Sequence, residues 1–427
     1  MPWVALVIDA WAPIRDNSFL WHIRAGDLQT VAGEVLTADP FSFTMHGEPW
    51  LTQSWLAELV YAWGERNWGL GFVPPMMLLM TSITFLGIGL IAYRRSQSVS
   101  GTAVVLILST LLLVSFLVPR PVIFSFALFV LVILAWERPV TRWTLPFLFW
   151  VWASMHGSFA IGLAYVGLSL VVEKEWKWLS TAILSGLVTL LTAHGLGVVT
   201  VLLEFVNARD ALALLSEWRR PEILSAVFIP FLLGLALIVW ASVKGRVTPK
   251  HLMVIVPFLV LGLGATRAMP PAWIALIPLV SLGVHRLKAG WAPRFSTGQA
   301  VLFGAAVAVL PFFLASDGSL DEERFPVAAA EALNDDRTFH DDRTGGYLIW
   351  AEGPGRQVFI DDRAELYRDR LVEFVAVRDG DQPWEPVFER DGIEQALLKT
   401  TESLVDDLEA AGWKPVFEDE EYVVLRP

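Results

Sequence analysis

The chain has 427 residues, of which 55% are hydrophobic and 18% charged, with a mean hydropathy of +0.52. Soluble domains average about 25% charged residues, so the composition speaks against an ordinary soluble enzyme and for a membrane protein. No cysteine is present, which excludes disulfides and thiolate metal sites, and a net charge of −12 argues against nucleic acid as a partner.

The charge is split along the chain. Residues 1–315 carry 20 Lys and Arg against 15 Asp and Glu, whereas residues 316–427 carry 12 against 29. This asymmetry implies two environments: a transmembrane domain over 1–315 and a soluble acidic domain over 316–427. The first apolar run, Pro2 to Ala12, is too short to span a bilayer and lacks the basic flank of a signal peptide. It reads as the end of a first span that begins outside this sequence.

A long loop follows, over 14–66. Loops above about 12–15 residues are usually functional or disordered, and the Trp, Phe and Leu content here argues against disorder. Asp16 comes directly after the first apolar run. A carboxylate at a membrane boundary is partly desolvated, which raises its basicity and suits a general base; a plain helix-end charge is the alternative. Trp21 to Leu28 reads as a short helix that Gly33 ends or turns. His22 beside Trp21 suits either chemistry or a packed core. Asp39-Pro40 reads as a helix or turn start, since Asp caps well and Pro fits the first position. Leu51, Trp55, Leu56, Leu59, Val60 and Trp63 recur at helical spacing and make an amphipathic helix suited to the interface. Glu58 falls on another face, where a carboxylate is ordinarily solvated.

Apolar segments follow at about 71–93, 102–118, 122–136, 144–155, 158–172, 179–194, 223–243, 251–266, 271–285 and 298–315. Counted with the first run, they give about 11 spans. One set of connecting loops holds twelve Lys and Arg, including every Lys of this region; the other holds eight residues, all Arg. The positive-inside rule puts the first set in the cytoplasm and the 14–66 loop and C-terminal domain outside. The outer Arg residues include Arg120 in P-R-P, Arg219 and Arg220 in S-E-W-R-R-P-E, and Arg267 in T-R-A-M-P-P. Arg contacts phosphate bidentately through its planar fork. Headgroup snorkelling or pairing with Glu is the alternative.

The C-terminal domain reads as small α/β. Helices are expected at Val327–Leu333, Arg368–Val377 and Ser403–Ala411, a strand at Gln357–Ile360, and a closing strand pair at Lys414–Phe417 and Tyr422–Leu425. Asp361-Asp362-Arg363-Ala364-Glu365 follows the expected strand, where ligand sites often lie in α/β sheets. A solvated acidic turn with an internally paired Arg is the plain alternative.

Together these motifs resemble the GT-C superfamily of integral-membrane glycosyltransferases, in particular the bacterial polyprenyl-phosphate-sugar-dependent mannosyl- and arabinosyltransferases. That family shows an acidic motif after its first span, often D-x-D, followed by W-W-H-L; here Asp16 and Trp21-His22 match, and Ser18 stands at the second acidic position. The further motifs appear as Asp39-Pro40-Phe41-Ser42-Phe43-Thr44, Trp50, Trp55-Leu56-Ala57-Glu58 and Met155-His156-Gly157-Ser158-Phe159. In the tail the matching stretches are Gly345 to Trp350 and Val358 to Arg363.

The resemblance implies a polyprenyl-phosphate-linked sugar as donor and a glycan, lipid or protein acceptor approaching from outside. Asp16 would be the base in an inverting displacement, with Asp39, His22 and Glu58 as further catalytic candidates. Arg267, Arg120, Arg219 and Arg220 would hold the leaving phosphate, and Trp21, Trp50 and His156 are candidate substrate contacts. If a divalent cation is used, oxygen ligands suit Mg or Mn. Two other functions compete: a transporter, flippase or noncatalytic assembly partner in envelope-glycan synthesis, and a polysaccharide polymerase or ligase. A transporter would favour charges within spans, but here they gather at loop ends. A polymerase or ligase would carry its large outer loop late, but here it comes first.

Overall fold

The structure is a computed structural model that describes residues 13–200, 216–287 and 318–427. Within the 14–66 loop, α1 is Ser18–Ala32 and α2 is Trp55–Trp68. Nine apolar segments follow as helices: α3 (Val73–Ser96), α4 (Val99–Leu113), α5 (Val122–Glu137), α6 (Leu145–Met155), α7 (Phe159–Glu173), α8 (Leu179–Leu187), α9 (Phe228–Val243), α10 (Leu252–Gly264) and α11 (Met269–Gly283). The expected runs at 2–12 and 298–315 lie outside the described residues. The C-terminal part holds α12 (Val327–Glu331), β1 (Thr338–Phe339), α13 (Asp342–Glu352), α14 (Ala364–Tyr367), α15 (Asp369–Arg378), α16 (Glu385–Asp391), β2 (Gln395–Lys399), α17 (Ser403–Ala410), β3 (Lys414–Glu418) and β4 (Tyr422–Arg426). The protein is thus mostly helical with one small sheet.

The chain divides into two units. The first comprises, among the described residues, 70–198 and 216–287. Its centre is α11, buried along nearly its whole length and packed against α3, α4, α5, α9 and α10. A helix apolar on all sides is stable only when surrounded. Close approach needs a missing side chain: a Cβ on Gly234 of α9 would lie 2.2 Å from the Trp273 ring. Indole N–H groups in this apolar interior find hydroxyl partners, Trp273 Nε1 donating to Ser109 Oγ at 2.9 Å and Trp152 Nε1 to Ser125 Oγ at 3.0 Å. Outside, Ile107, Leu111, Val239 and Val260 are exposed, a surface that water penalises and lipid does not. Among the described residues, two helical runs are long and apolar enough to cross a membrane, Trp55–Ser96 with 42 residues and Val99–Phe116 with 18; five further apolar helices are shorter. These helices point to a membrane protein.

The second unit joins the early loop to the C-terminal residues: 13–69 folds with 319–427. The sheet runs β1-β2-β4-β3, with β1 and β2 parallel and the other pairs antiparallel. Tyr422 and Val424 of β4 and Leu397 of β2 pack on Ala329 of α12. Phe339 of β1 collects Phe359, Phe374 and Phe388 with ring centroids 4.8–5.5 Å away. The expected strand at Gln357–Ile360 forms differently. Val358 donates its amide to Phe41 O at 2.9 Å and accepts from Phe43 N at 3.0 Å, so this segment bridges to the early D-P-F-S-F-T motif and not to the sheet.

Beside this bridge sits a fully buried guanidinium. Arg363 Nε and Nη2 donate to Asp361 Oδ1 and Oδ2 at 2.7 and 2.6 Å. Its Nη1 lies 2.7 Å from Asp39 Oδ1, an ion pair more than an aligned hydrogen bond. The Trp50 ring covers it at 4.5 Å, and Phe41, Trp21 and Tyr367 surround it. Burial alone would lower the Arg363 pKa, but Asp361, Tyr367 and Asp39 outweigh it and hold the proton above the ordinary arginine value. The turn at 361–365 is therefore not the solvated acidic turn considered from the sequence; Asp361 and Arg363 are buried because aromatic groups of the early loop cover them.

Near the sheet, burial and then Asp341 push Glu402 up to about 7, and burial, Asp341 and Asp362 do the same to Asp342. His340 is pushed down to about 4 by burial. Its Nε2 accepts from Phe359 N at 3.0 Å and its Nδ1–H donates to Asp341 O at 2.9 Å, which fixes the neutral tautomer.

Two predictions follow from these contacts. Arg363→Met leaves two buried carboxylates uncompensated and should cost about 3–5 kcal/mol in denaturant unfolding, with partial recovery on adding Asp39→Asn and Asp361→Asn. The folded chain keeps protons on Glu402 and Asp342 that the unfolded chain releases as pH rises toward about 7, so their contribution falls across that window. His340 works oppositely, losing its contribution as pH falls from its ordinary value toward about 4. The Tm of Glu402→Gln relative to wild type should therefore rise between about pH 5 and pH 8.

Candidate functional site

Asp16 opens α1. Its Oδ1 accepts from Ser18 N at 3.0 Å, so the carboxylate is held at the helix start and remains half-buried. Ser18, at the second acidic position of the family motif, is buried. One turn further, Trp21 and His22 stack with ring centroids 3.6 Å apart, and Trp21 Nε1 donates to Asp362 Oδ1 at 2.6 Å. Gly33, in the left-handed region at φ 71°, ends the helix.

His22 and Glu58 meet. His22 Nδ1 lies 2.9 Å from Glu58 Oε1, and both side chains are buried. Gln29 Nε2 donates to Glu58 Oε2 at 2.5 Å, and Thr52 Oγ1 donates to Glu58 Oε1. The expected solvated face for Glu58 is thus incorrect. The amphipathic stripe of α2 does leave Glu58 off its apolar side, but α1 covers that side. It approaches so closely at Gly26 that a Cβ there would lie 2.1 Å from Glu58 O. Chemically, a carboxylate on one imidazole nitrogen orients the ring and fixes which nitrogen faces away from it.

Asp39 is buried and spent on structure. Its Oδ1 accepts from Phe41 N and its Oδ2 from Ser42 N, both at 3.1 Å, and Ser42 Oγ donates to Oδ2 at 2.6 Å. With Arg363 as its ion partner, it anchors the turn that the Asp-Pro pair begins. Trp50 lies over Arg363 and donates a long hydrogen bond of 3.4 Å to Glu365 Oε1.

In the other unit, two of the four candidate phosphate ligands converge. Arg267 Nη1 is 2.9 Å from Glu217 Oε1, and Arg120 Nη1 is 3.7 Å from Glu217 Oε2. The Arg267 guanidinium also lies over the Trp218 ring at 4.4 Å. The turns carrying them are tied by Thr266, whose N and Oγ1 both donate to Arg219 O, at 2.9 and 3.0 Å. The Arg219 and Arg220 side chains are exposed. His156 ends α6, where its Nδ1 accepts from Ser158 N at 3.1 Å and lies 3.0 Å from Ser158 Oγ; it shapes the H-G-S-F turn.

Sequence reasoning did not assign Glu217, Arg363, Gln29 or Thr52. Glu217 carried one signal, its place beside Arg219 and Arg220 in S-E-W-R-R-P-E. Among the described residues no group of three or more His, Asp and Glu is gathered so as to hold a metal ion.

No protein-family model matches this chain, and no curated protein matches it. A search of solved structures finds the oligosaccharyltransferase of Archaeoglobus fulgidus, crystallised with a tethered acceptor peptide containing the NVT sequon. The TM-score is 0.53 at 10% identity, covering 93% of this chain and 69% of the other. Over nearly its whole length the chain thus shares a fold with that structure.

Proposed function

We propose that the chain is a multi-pass GT-C-type glycosyltransferase that moves a sugar from a polyprenyl-phosphate donor to an extracytoplasmic glycan, lipid or protein. The observation that carries this reading is the convergence of Arg120 and Arg267 on a single oxyanion, Glu217. Two guanidinium groups from separate turns, arranged around one carboxylate, present the donor set that a phosphate needs. The fold likeness supports the same class, since that neighbour is named as an oligosaccharyltransferase; a fold hosts many chemistries, so this support is by analogy.

In the reaction, the acceptor hydroxyl oxygen bonds to the anomeric carbon while the bond from that carbon to the phosphate oxygen breaks. The configuration inverts, the hydroxyl proton passes to Asp16, and polyprenyl phosphate leaves. Arg120 and Arg267 stabilise the charge that develops on the phosphate, with Arg219 and Arg220 nearby in sequence. The His22–Glu58 pair and the Trp21 ring stacked on it hold the α1 face beside Asp16. About eleven spans, with the 14–66 loop and the C-terminal residues outside, complete the reading.

Replacing Asp16 by Asn keeps the hydrogen bond from Ser18 N but removes the base. Transfer from polyprenyl-phospho-sugar by purified protein in lipid nanodiscs should fall by about 10²–10⁴, with Tm unchanged. A normal rate in this variant removes Asp16 as base. Absence of both transfer and hydrolysis in the wild type, across mannosyl, arabinosyl and glucosyl donors, counts against the enzyme itself.

A further inference from the structure

The unit formed by 13–69 and 319–427 contains a cavity of about 460 Å³ that the proposed chemistry does not use. One wall comes from the early loop, with Glu48 and Trp50; the other comes from the end of α14 and the start of α15, with Glu365, Arg368, Asp369 and Arg370. The volume falls within the range of small-ligand sites, about 300–1,000 Å³.

Arg368 is the informative residue. Its backbone sits at φ 44° and ψ −110°, between α14 and α15. The three other non-glycine residues with positive φ among the described residues lie in the first unit. A side chain in such a conformation costs about 1–3 kcal/mol, and glycine would remove the cost. The chain nevertheless keeps an arginine, exposed, with Nε donating to Glu365 O at 3.1 Å. Strain held in place beside a cavity signals a guanidinium kept for what it contacts.

The rest of the lining narrows the ligand. Arg370 is already bound to Asp391 at 2.9 Å, which fixes its position. Arg368 and the Asp391-paired Arg370 share the lining with Glu48, Asp369 and Glu365. The lining therefore mixes guanidinium and carboxylate groups. A phosphate would meet carboxylates, and a polycation would meet arginines. A neutral polyhydroxyl ligand finds both donors and acceptors, together with the aromatic body of Trp50.

We propose that this cavity is a saccharide-binding subsite, with Arg368 its principal hydrogen-bond donor and Glu48, Asp369 and Glu365 its acceptors. Naming the saccharide as part of the acceptor rests on the glycosyltransferase reading; the binding itself does not.

The test uses the purified full chain in nanodiscs without donor. Maltose, cellobiose and mannobiose are offered at millimolar concentration and read by saturation-transfer NMR, with inorganic phosphate as competitor. At least one disaccharide should bind, unaffected by phosphate. Arg368→Gly should leave Tm unchanged or higher yet weaken binding by about tenfold or more, the loss of a charge-assisted hydrogen bond. No disaccharide binding in the wild type, displacement by phosphate, or full binding by Arg368→Gly each overturns the proposal. The wild type separates the two ideas: disaccharide binding without transfer leaves the subsite standing, and transfer without binding leaves only the enzyme.

Discussion

Arg363 is a guanidinium with no access to water, and the unit that contains most of the candidate catalytic residues is organised around it. Burying a lone charge is prohibitively costly, so the site exists only because Asp361 and Asp39 arrive together. One carboxylate is two residues away in sequence; the other is more than three hundred residues away. The distant partner makes the contact consequential. Asp39 reaches Arg363 only if the D-P-F-S-F-T turn is formed, and that turn pairs its backbone with Val358. Trp50 can cover the guanidinium only if the chain after the turn returns along it, as the bridge between Ala38 and Pro49 shows. An early loop and a late domain thereby become a single folded body.

The consequence for function lies in how each carboxylate is held. Asp39 is held in the clamp by four contacts on its two oxygens. Glu58 is likewise surrounded by His22, Gln29 and Thr52. Asp16 is half-buried at the start of α1, where its Oδ1 accepts from the Ser18 amide. The residues around it are preorganised by ion pairs and glycine contacts, the condition under which a proton acceptor keeps its geometry through a reaction. In the helical unit a similar economy holds: Glu217 gathers Arg120 and Arg267, so neither guanidinium needs a substrate to hold its position.

Much of this was legible in the sequence. Each apolar segment within the described residues forms a helix, because hydrophobic runs of that length have few other ways to satisfy their backbone. The loop helix, its end at Gly33 and the β3–β4 pair were also readable, since left-handed glycines and β-branched and aromatic residues act locally; the helix itself starts at Ser18, three residues before the expected Trp21, with no side-chain cap. The failures share a different cause. Gln357–Ile360 looks like a sheet strand, but its partner is Ser42, which no local pattern reveals. Glu58 looks solvated because helical periodicity describes one helix; only the approach of α1 at Gly26 shows that its face is covered. Arg363 looks self-paired for the same reason: its second carboxylate and its aromatic roof come from the other end of the chain. The motif resemblance did flag both ends, Asp39 to Thr44 and Val358 to Arg363, without showing that they touch.

The central claim is that 13–69 and 319–427 fold as one cooperative body. Native-state hydrogen exchange on the full chain in nanodiscs tests it directly. Amides of the early loop, such as Phe43 and Trp50, should open at the same free energy as sheet amides such as Leu397 and Val424. Early-loop amides that exchange at a much lower free energy, while the sheet stays protected, would show that the loop is an independent element and that the Arg363 clamp does not join the two.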